Sequence, residues 1–206
     1  MTFRQLRRAV RADLAQEHRY AHSLRVARLA ASLARAHGED SRTAAVAGML
    51  HDLARLFDAD RLVRECTSRG MVIDDFELAH PVVLHARLGA ELARERYGVA
   101  DDAVLSAIRA HTLGAPGMSR LDAIVYLADA LEPGRDFAGR AELMRLAYAD
   151  VDDAMRAVLA STAGYLRARN LVLAPQTRAA MAQFGARGDR PAAREESSME
   201  NRLCRT

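Results

Sequence analysis

AGMLHDLAR, residues 47–55, places His51 and Asp52 side by side in an otherwise apolar helical pattern. Burying a carboxylate is costly unless a positive group neutralises it, and a metal ion does so well. Val46, Met49, Leu50 and Leu53 surround the pair within an expected helix over 42–57. Upstream, His22, Val26, Leu29 and Leu33 fall on one stripe of a helix over 21–36, which His37-Gly38 closes. A short amphipathic helix over 3–17 precedes it, joined through His18-Arg19-Tyr20. Downstream, 59–69 reads as a short helix, and Pro81 opens one that runs to Tyr97 with Val82, His85, Gly89 and Leu92 on a stripe. Val104, Ile108 and His111 share the next helix, 101–111, before the Gly/Pro-rich LGAPGM loop. Ser119 is an N-cap for 119–131, on which Asp122, Val125 and Asp129 share a face before Glu132-Pro133-Gly134 ends it. Helices over 140–147, 150–168 and 176–183 complete an all-α domain, 1–184. From 185 the polar, aperiodic GARGDRPAAREESSMENRLCRT reads as a disordered tail, 185–206.

Bulk properties agree with this class and remove others. The 206 residues suffice for one helical domain with a sizeable core. Half of them are hydrophobic and only 5% aromatic, so Ala, Leu and Val build the core, which favours helix over sheet. No apolar run reaches the roughly 18 residues that span a bilayer, and MTFRQLRRAVRADL lacks the apolar core of a signal peptide. A cytoplasmic protein without membrane contact is expected. Every basic residue is Arg, none is Lys, and the arginines alternate with Asp and Glu around a net charge of +3. That pattern describes solvated faces and argues against a nucleic-acid partner. Cys66 and Cys204 are the only cysteines. They form no thiolate metal site, so a metal here must use imidazole and carboxylate, which suits zinc, iron or manganese.

A single histidine on an apolar helix is usually an ordinary hydrogen-bonded core residue. Here His22, His51, His85 and His111, together with Asp129, fall on apolar faces of separate helices. Neutral imidazoles and carboxylates bind first-row divalent ions, and inward-facing helices hold them rigidly. Only a carboxylate such as Asp52 can bridge two ions. Two divalent ions outweigh the charges of Asp52 and Asp129, so such a site stays positive and suits a polyphosphate.

The residues His22, His51-Asp52 and Asp129 resemble the H…HD…D signature of the HD phosphohydrolase superfamily. The segments EHRYAHSLRVARLA, AGMLHDLAR, VVLHARLGAELA, AIRAHTLGAPGMSRLDAIVYLADALEPGRDF and APQT narrow the resemblance to its symmetrical bis(5′-nucleosyl)-tetraphosphatases, over residues 3–180. The resemblance implies an all-α HD-domain helical bundle. It also implies a metal-dependent hydrolase that cleaves diadenosine tetraphosphate into two ADP. By the same resemblance His22, His51, Asp52 and Asp129 hold a divalent metal, iron first, with Mn, Co, Zn or Mg as alternatives. One or two ions are expected, the second on His85 and His111. Asp52 carries the catalytic role. Substrate contacts fall to Arg19, Asp52, Arg55, His85, His111, Thr112, Asp129 and Arg135, and to Arg169, Asn170, Leu171, Val172 and Leu173 near a nucleoside. A homodimer is left open. Two positions depart from the family pattern, Arg55 for the usual Lys and Ala86 for the usual Gly. The alternatives are another HD nucleotide phosphohydrolase, acting on nucleoside mono- or triphosphates or on alarmones, and a non-catalytic metal-binding HD signalling domain.

Overall fold

The computed structural model describes residues 1–14 and 16–188, and within these residues every regular element is helical. In chain order they are α1 (Phe3–Leu14), α2 (Glu17–Ala36), α3 (Ser41–Leu50), α4 (Ala59–Ser68), α5 (Asp75–Ala79), a 3-10 turn (Pro81–Val83), α6 (Leu84–Tyr97), α7 (Asp102–Ala110), α8 (Arg120–Leu131), α9 (Arg140–Ala149), α10 (Val151–Ala168) and α11 (Pro175–Gly188). Short polar side chains start many of them by accepting from orphan backbone N–H groups. Asp58 accepts from Arg61 N at 2.8 Å and Asp101 from Ala103 N at 2.9 Å. Ser119 and Asp122 form a reciprocal capping box at the head of α8, with bonds of 3.1 and 2.8 Å.

The core forms where α2 lies against α3 on one side and α8 on the other, with α7 closing the group from α3, α6 and α8. Val26, Ala30 and Leu33 of α2, Ala47 and Leu50 of α3, Leu105 and Ile108 of α7, and Ile124, Val125 and Leu127 of α8 are all buried there. Small residues set the spacing. A Cβ on Gly48 would sit 2.9 Å from the Ala27 Cα, so α3 rests almost directly on the backbone of α2. That approach brings the end of α3 beside His22. On the far side, a Cβ on Gly89 would lie 3.2 Å from the His51 carbonyl oxygen, so α6 also closes on the same turn. No helix among the described residues is long and apolar enough to cross a membrane.

The structure moves several expected boundaries. The helix expected over 42–57 stops at Leu50, and residues 51–56 form a run of tight turns with Leu53 N–Leu50 O, Arg55 N–Asp52 O and Phe57 N–Ala54 O bonds. His18, Arg19 and Tyr20 are inside α2 rather than in a link before it. The short α5 answers to no expected helix. Helix α11 continues through Gly185 to Gly188, and the remainder of the expected tail, with Cys204, lies outside the described residues.

Candidate metal centre and its cavity

Most of the proposed ligands sit where a helix begins or ends. His51 follows the last residue of α3, His111 follows the last residue of α7, and Asp129 occupies the last turn of α8. Unpaired carbonyls give a helix C-terminus partial negative charge, so three helices turn their cation-attracting ends to one place. His22 projects from α2, and His85 from the junction of the 3-10 turn with α6.

The histidines share a hydrogen-bonding device. The Nδ1–H of His51 donates to Gly48 O at 2.8 Å, that of His85 to Val82 O at 2.5 Å, and that of His111 to Ile108 O at 2.7 Å. Each acceptor lies three residues earlier, and a carbonyl can only accept. That fixes the tautomer and leaves Nε2 as a bare lone pair. His22 reaches the same state differently, with Nδ1 donating to Glu132 Oε1 at 3.1 Å. The bare nitrogens then meet in pairs, His22 and His51 at 3.2 Å and His85 and His111 at 3.1 Å. Two lone pairs at that distance repel unless a cation lies between them. Thr112 Oγ1 is 2.9 Å from His111 Nε2 and 3.2 Å from His85 Nε2, but its single hydrogen can serve only one of them.

The carboxylates complete two nests. In the first, Asp129 Oδ1 lies 3.1 Å from His22 Nε2 and 3.9 Å from His51 Nε2, while Asp52 Oδ2 lies 3.7 and 3.5 Å from the same atoms. In the second, Asp52 Oδ1 lies 3.4 Å from His85 Nε2 and 3.9 Å from His111 Nε2. Metal–ligand bonds of about 2.0–2.2 Å place neighbouring donors roughly 3–4 Å apart, which is the spacing found here. Asp52 thus offers one oxygen to each nest. The donor set fits a divalent ion in the first nest and leaves the second with fewer protein ligands and more open positions.

Electrostatics support the same reading. Burial lowers the basicity of His111, His51 and His85 lower it further, and its pKa is pushed down to about 3. It therefore stays neutral and able to ligate. Burial would raise the carboxyl of Asp52, but in the ion-free protein positive charge on the surrounding imidazoles, His51 first, holds it well below the usual carboxylate range, a charge that a bound cation would replace. Against the same effect of burial, Asp129 is held low in the ion-free protein chiefly by a hydrogen bond from His22, whose own basicity is raised by the same contact; a bound ion would take the place of that Nε2 proton.

Above the nests opens a cavity of about 390 Å³ lined by Arg19, Asp52, Arg55, His85, His111, Thr112, Asp129 and Arg135 among others. Arg19 Nη1 stands 3.5 Å from Asp52 Oδ2, and Arg135 Nη2 donates to Asp129 Oδ1 at 2.7 Å. Arg55 forms no ion pair among the described residues. Three guanidiniums against two carboxylates leave the cavity positive before any metal is counted. Residues 169–173 do not line it. Arg169, Asn170, Leu171 and Val172 are exposed, Arg169 stacks on Tyr165 at 3.8 Å, and Asn170 takes the left-handed conformation that ends α10.

Some contributors were not anticipated. Tyr126 and Thr162 also line the cavity. Glu132, read as part of a helix stop, turns its carboxylate inward to His22 and Arg25 and is itself buried. A usable signal existed, since Glu132 lies one helical turn beyond Asp129 on the same face.

Comparison with known proteins identifies the family. Residues 19–134 match the family model described as HD domain, a span that includes all six nest residues. A symmetrical bis(5′-nucleosyl)-tetraphosphatase of Halalkalibacterium halodurans is 37% identical over 171 residues, 82% of this chain and 89% of that protein. The protein of the same name from Bacillus subtilis is 35% identical, over 78% of this chain and 86% of its own length. The crystal structure of an HD superfamily hydrolase from Clostridium acetobutylicum, described as involved in NAD metabolism, superposes with a TM-score of 0.86 at 32% identity. It covers 91% of this chain and 98% of that one.

Proposed function

We propose, from the premise that this chain belongs to the HD domain family and within it to the symmetrical bis(5′-nucleosyl)-tetraphosphatases, that it hydrolyses diadenosine tetraphosphate at the middle of its phosphate chain to two ADP. The observation that carries the reading is the pair of nests joined by Asp52 beneath a cavity edged with arginines. His22, His51, Asp52 and Asp129 would hold a divalent ion, with His85 and His111 available to a second. Such an ion supplies Lewis acidity, acidifying water toward neutral pH and neutralising phosphoryl charge. Imidazole and carboxylate donors without thiolate suit zinc, iron or manganese, and the family resemblance puts iron first, with Mn, Co, Zn or Mg as alternatives.

The chain's own groups account for the rest. Arg19, Arg55 and Arg135 bind phosphoryl oxygens with charge-assisted hydrogen bonds, and the Thr112 hydroxyl donates to the same chain. Hydrolysis forms a bond from a water oxygen to one central phosphorus and breaks its bond to the bridging oxygen, which leaves on the second ADP. The guanidiniums offset the charge that builds on the phosphoryl and leaving oxygens. Asp52 holds the two nests in a fixed relation. With a free nucleotide as substrate, the enzyme is assigned to the cytoplasm.

The test is metal analysis of purified protein, followed by nucleotide chromatography after incubation with diadenosine tetraphosphate. ADP as the only nucleotide product is expected. ATP plus AMP, or no turnover by protein that holds its metal, overturns the reading. Asp52→Ala is expected to lose both metal and activity.

A further inference from the structure

Beside the central cavity lies a second of about 330 Å³, walled by α5, α6, α7, the 112–115 loop and the start of α11. Val83 and Thr112 line both spaces, so the two cavities share a wall at the residue whose hydroxyl lies beside His85 and His111. Their linings differ in kind. The central cavity carries excess positive charge. In the second, Ala86, Ala110, Leu113 and Ala115 supply apolar wall, and the charges are already matched. Arg87 donates to both oxygens of Glu77 at 2.7 and 2.6 Å, and Arg109 pairs with Glu91 at 3.0 Å. A phosphate would find no unpaired cation there among the described residues. A neutral, flat, partly apolar group would find walls of its own character, in a space of the size small-molecule sites use.

We propose that this second cavity is the subsite for one nucleoside of the dinucleotide, a reading that rests on the function proposed above. The tetraphosphate then runs from it past Thr112 and across the nests toward Arg19, Arg55 and Arg135. Ser106 and Glu77 give the pocket polar atoms for ribose hydroxyls or base edges, and Gln176 beside them carries an acceptor, Oε1, that has no donor among the described residues. Ala86 lines this cavity and not the central one, so its departure from the usual Gly bears on nucleoside fit rather than on metal binding.

The experiment compares, on metal-loaded enzyme, the KM for diadenosine tetraphosphate with the competition constant of adenosine 5′-tetraphosphate, which lacks the second nucleoside. Wild type is expected to favour the dinucleotide by about tenfold or more. In Ala115→Phe, where the ring fills the cavity from a partly buried loop position, that preference is expected to fall to about threefold or less. Equal affinities in wild type overturn the subsite while leaving the activity intact. A folded Ala115→Phe that weakens both ligands equally, or neither, overturns it as well. If that variant fails to fold, Ala115→Leu, a smaller intrusion into the same cavity, is read by the same comparison with the same outcomes. Failure of wild type to turn over the dinucleotide overturns the proposed function, and the subsite with it.

Discussion

Replacing Glu132 by Gln gives the sharpest test of how the first nest is built. Every atom that faces this carboxylate is a donor. His22 Nδ1 lies 3.1 Å from Oε1 and Arg25 Nη2 3.2 Å from it. Gly134 N lies 2.6 Å from Oε2, which Arg25 Nε also contacts. An amide must put its NH₂ against one of these sets. Turned toward Arg25 and Gly134, it sets donor against donor. Turned toward His22, it drives the imidazole into the other tautomer, with a proton on Nε2 where the lone pair is needed. Loss of an outer partner of a metal-binding histidine typically costs about 10–100-fold in metal affinity, equivalent to roughly 1.4–2.7 kcal/mol. Chelator competition against the purified variant reads this directly, without relying on turnover. Arg25→Met is the control, because it removes the ion pair but leaves the Glu132–His22 contact. Its metal affinity is expected to change by less than about threefold. If Glu132→Gln binds metal within about twofold of wild type, or Arg25→Met weakens binding as much, the positioning role assigned to Glu132 is wrong.

Three further outcomes follow from the geometry. Gly48→Ala forces a methyl against the Ala27 backbone at 2.9 Å, and overpacking of this kind costs about 1–3 kcal/mol. Thermal melting should show it as a drop of a few degrees or more, and an unchanged Tm would contradict the close approach of α3 to α2. In the metal-free protein, burial raises the Glu132 carboxyl, but Arg25, Gly134 N–H and His22 outweigh it and push the pKa from an ordinary 4.5 down to about 2. A depressed acid contributes stability that is full above its unfolded pKa and lost as pH falls through the folded one. Denaturant titrations between pH 5 and 2 should therefore record a loss of up to about 3 kcal/mol from this group, and a flat profile would contradict it. Arg55→Ala removes a guanidinium that pairs with no carboxylate among the described residues and should lower kcat/KM about 10–100-fold, with Arg55→Lys recovering most of it. A loss under about twofold in Arg55→Ala would take Arg55 out of the phosphate site.

The sequence made the helices and the candidate ligands legible for a physical reason. Apolar spacing marks the buried faces of α2, α7 and α8, and a histidine or aspartate on such a face needs a partner wherever the chain folds. The turn at 51–56 was hidden because Leu50, Leu53 and Ala54 continue the helical rhythm past the point where the helix stops. What ends α3 is the set of contacts around His51 itself. Helix α5 is five residues long, too short for periodicity to register. Glu132 escaped because its partner lies 110 residues away in sequence, and its neighbours Pro133 and Gly134 announce a helix end rather than a buried acid. The nucleoside end was the least readable part. A cavity shared between α5, α6, α7 and α11 leaves no local pattern.

The bonds from histidine Nδ1 to carbonyls three residues earlier tie metal occupancy to the motion of the backbone. The last turns of α3 and α7 cannot fray without swinging His51 or His111 away from its nest. A bound ion therefore acts as a clasp on two helix termini that would otherwise be among the first places to open. Amide hydrogen exchange near residues 50–53 and 108–113 should slow in proportion to metal affinity. Loss of the ion should be felt first as loosening at these ends, well before the helices themselves come apart.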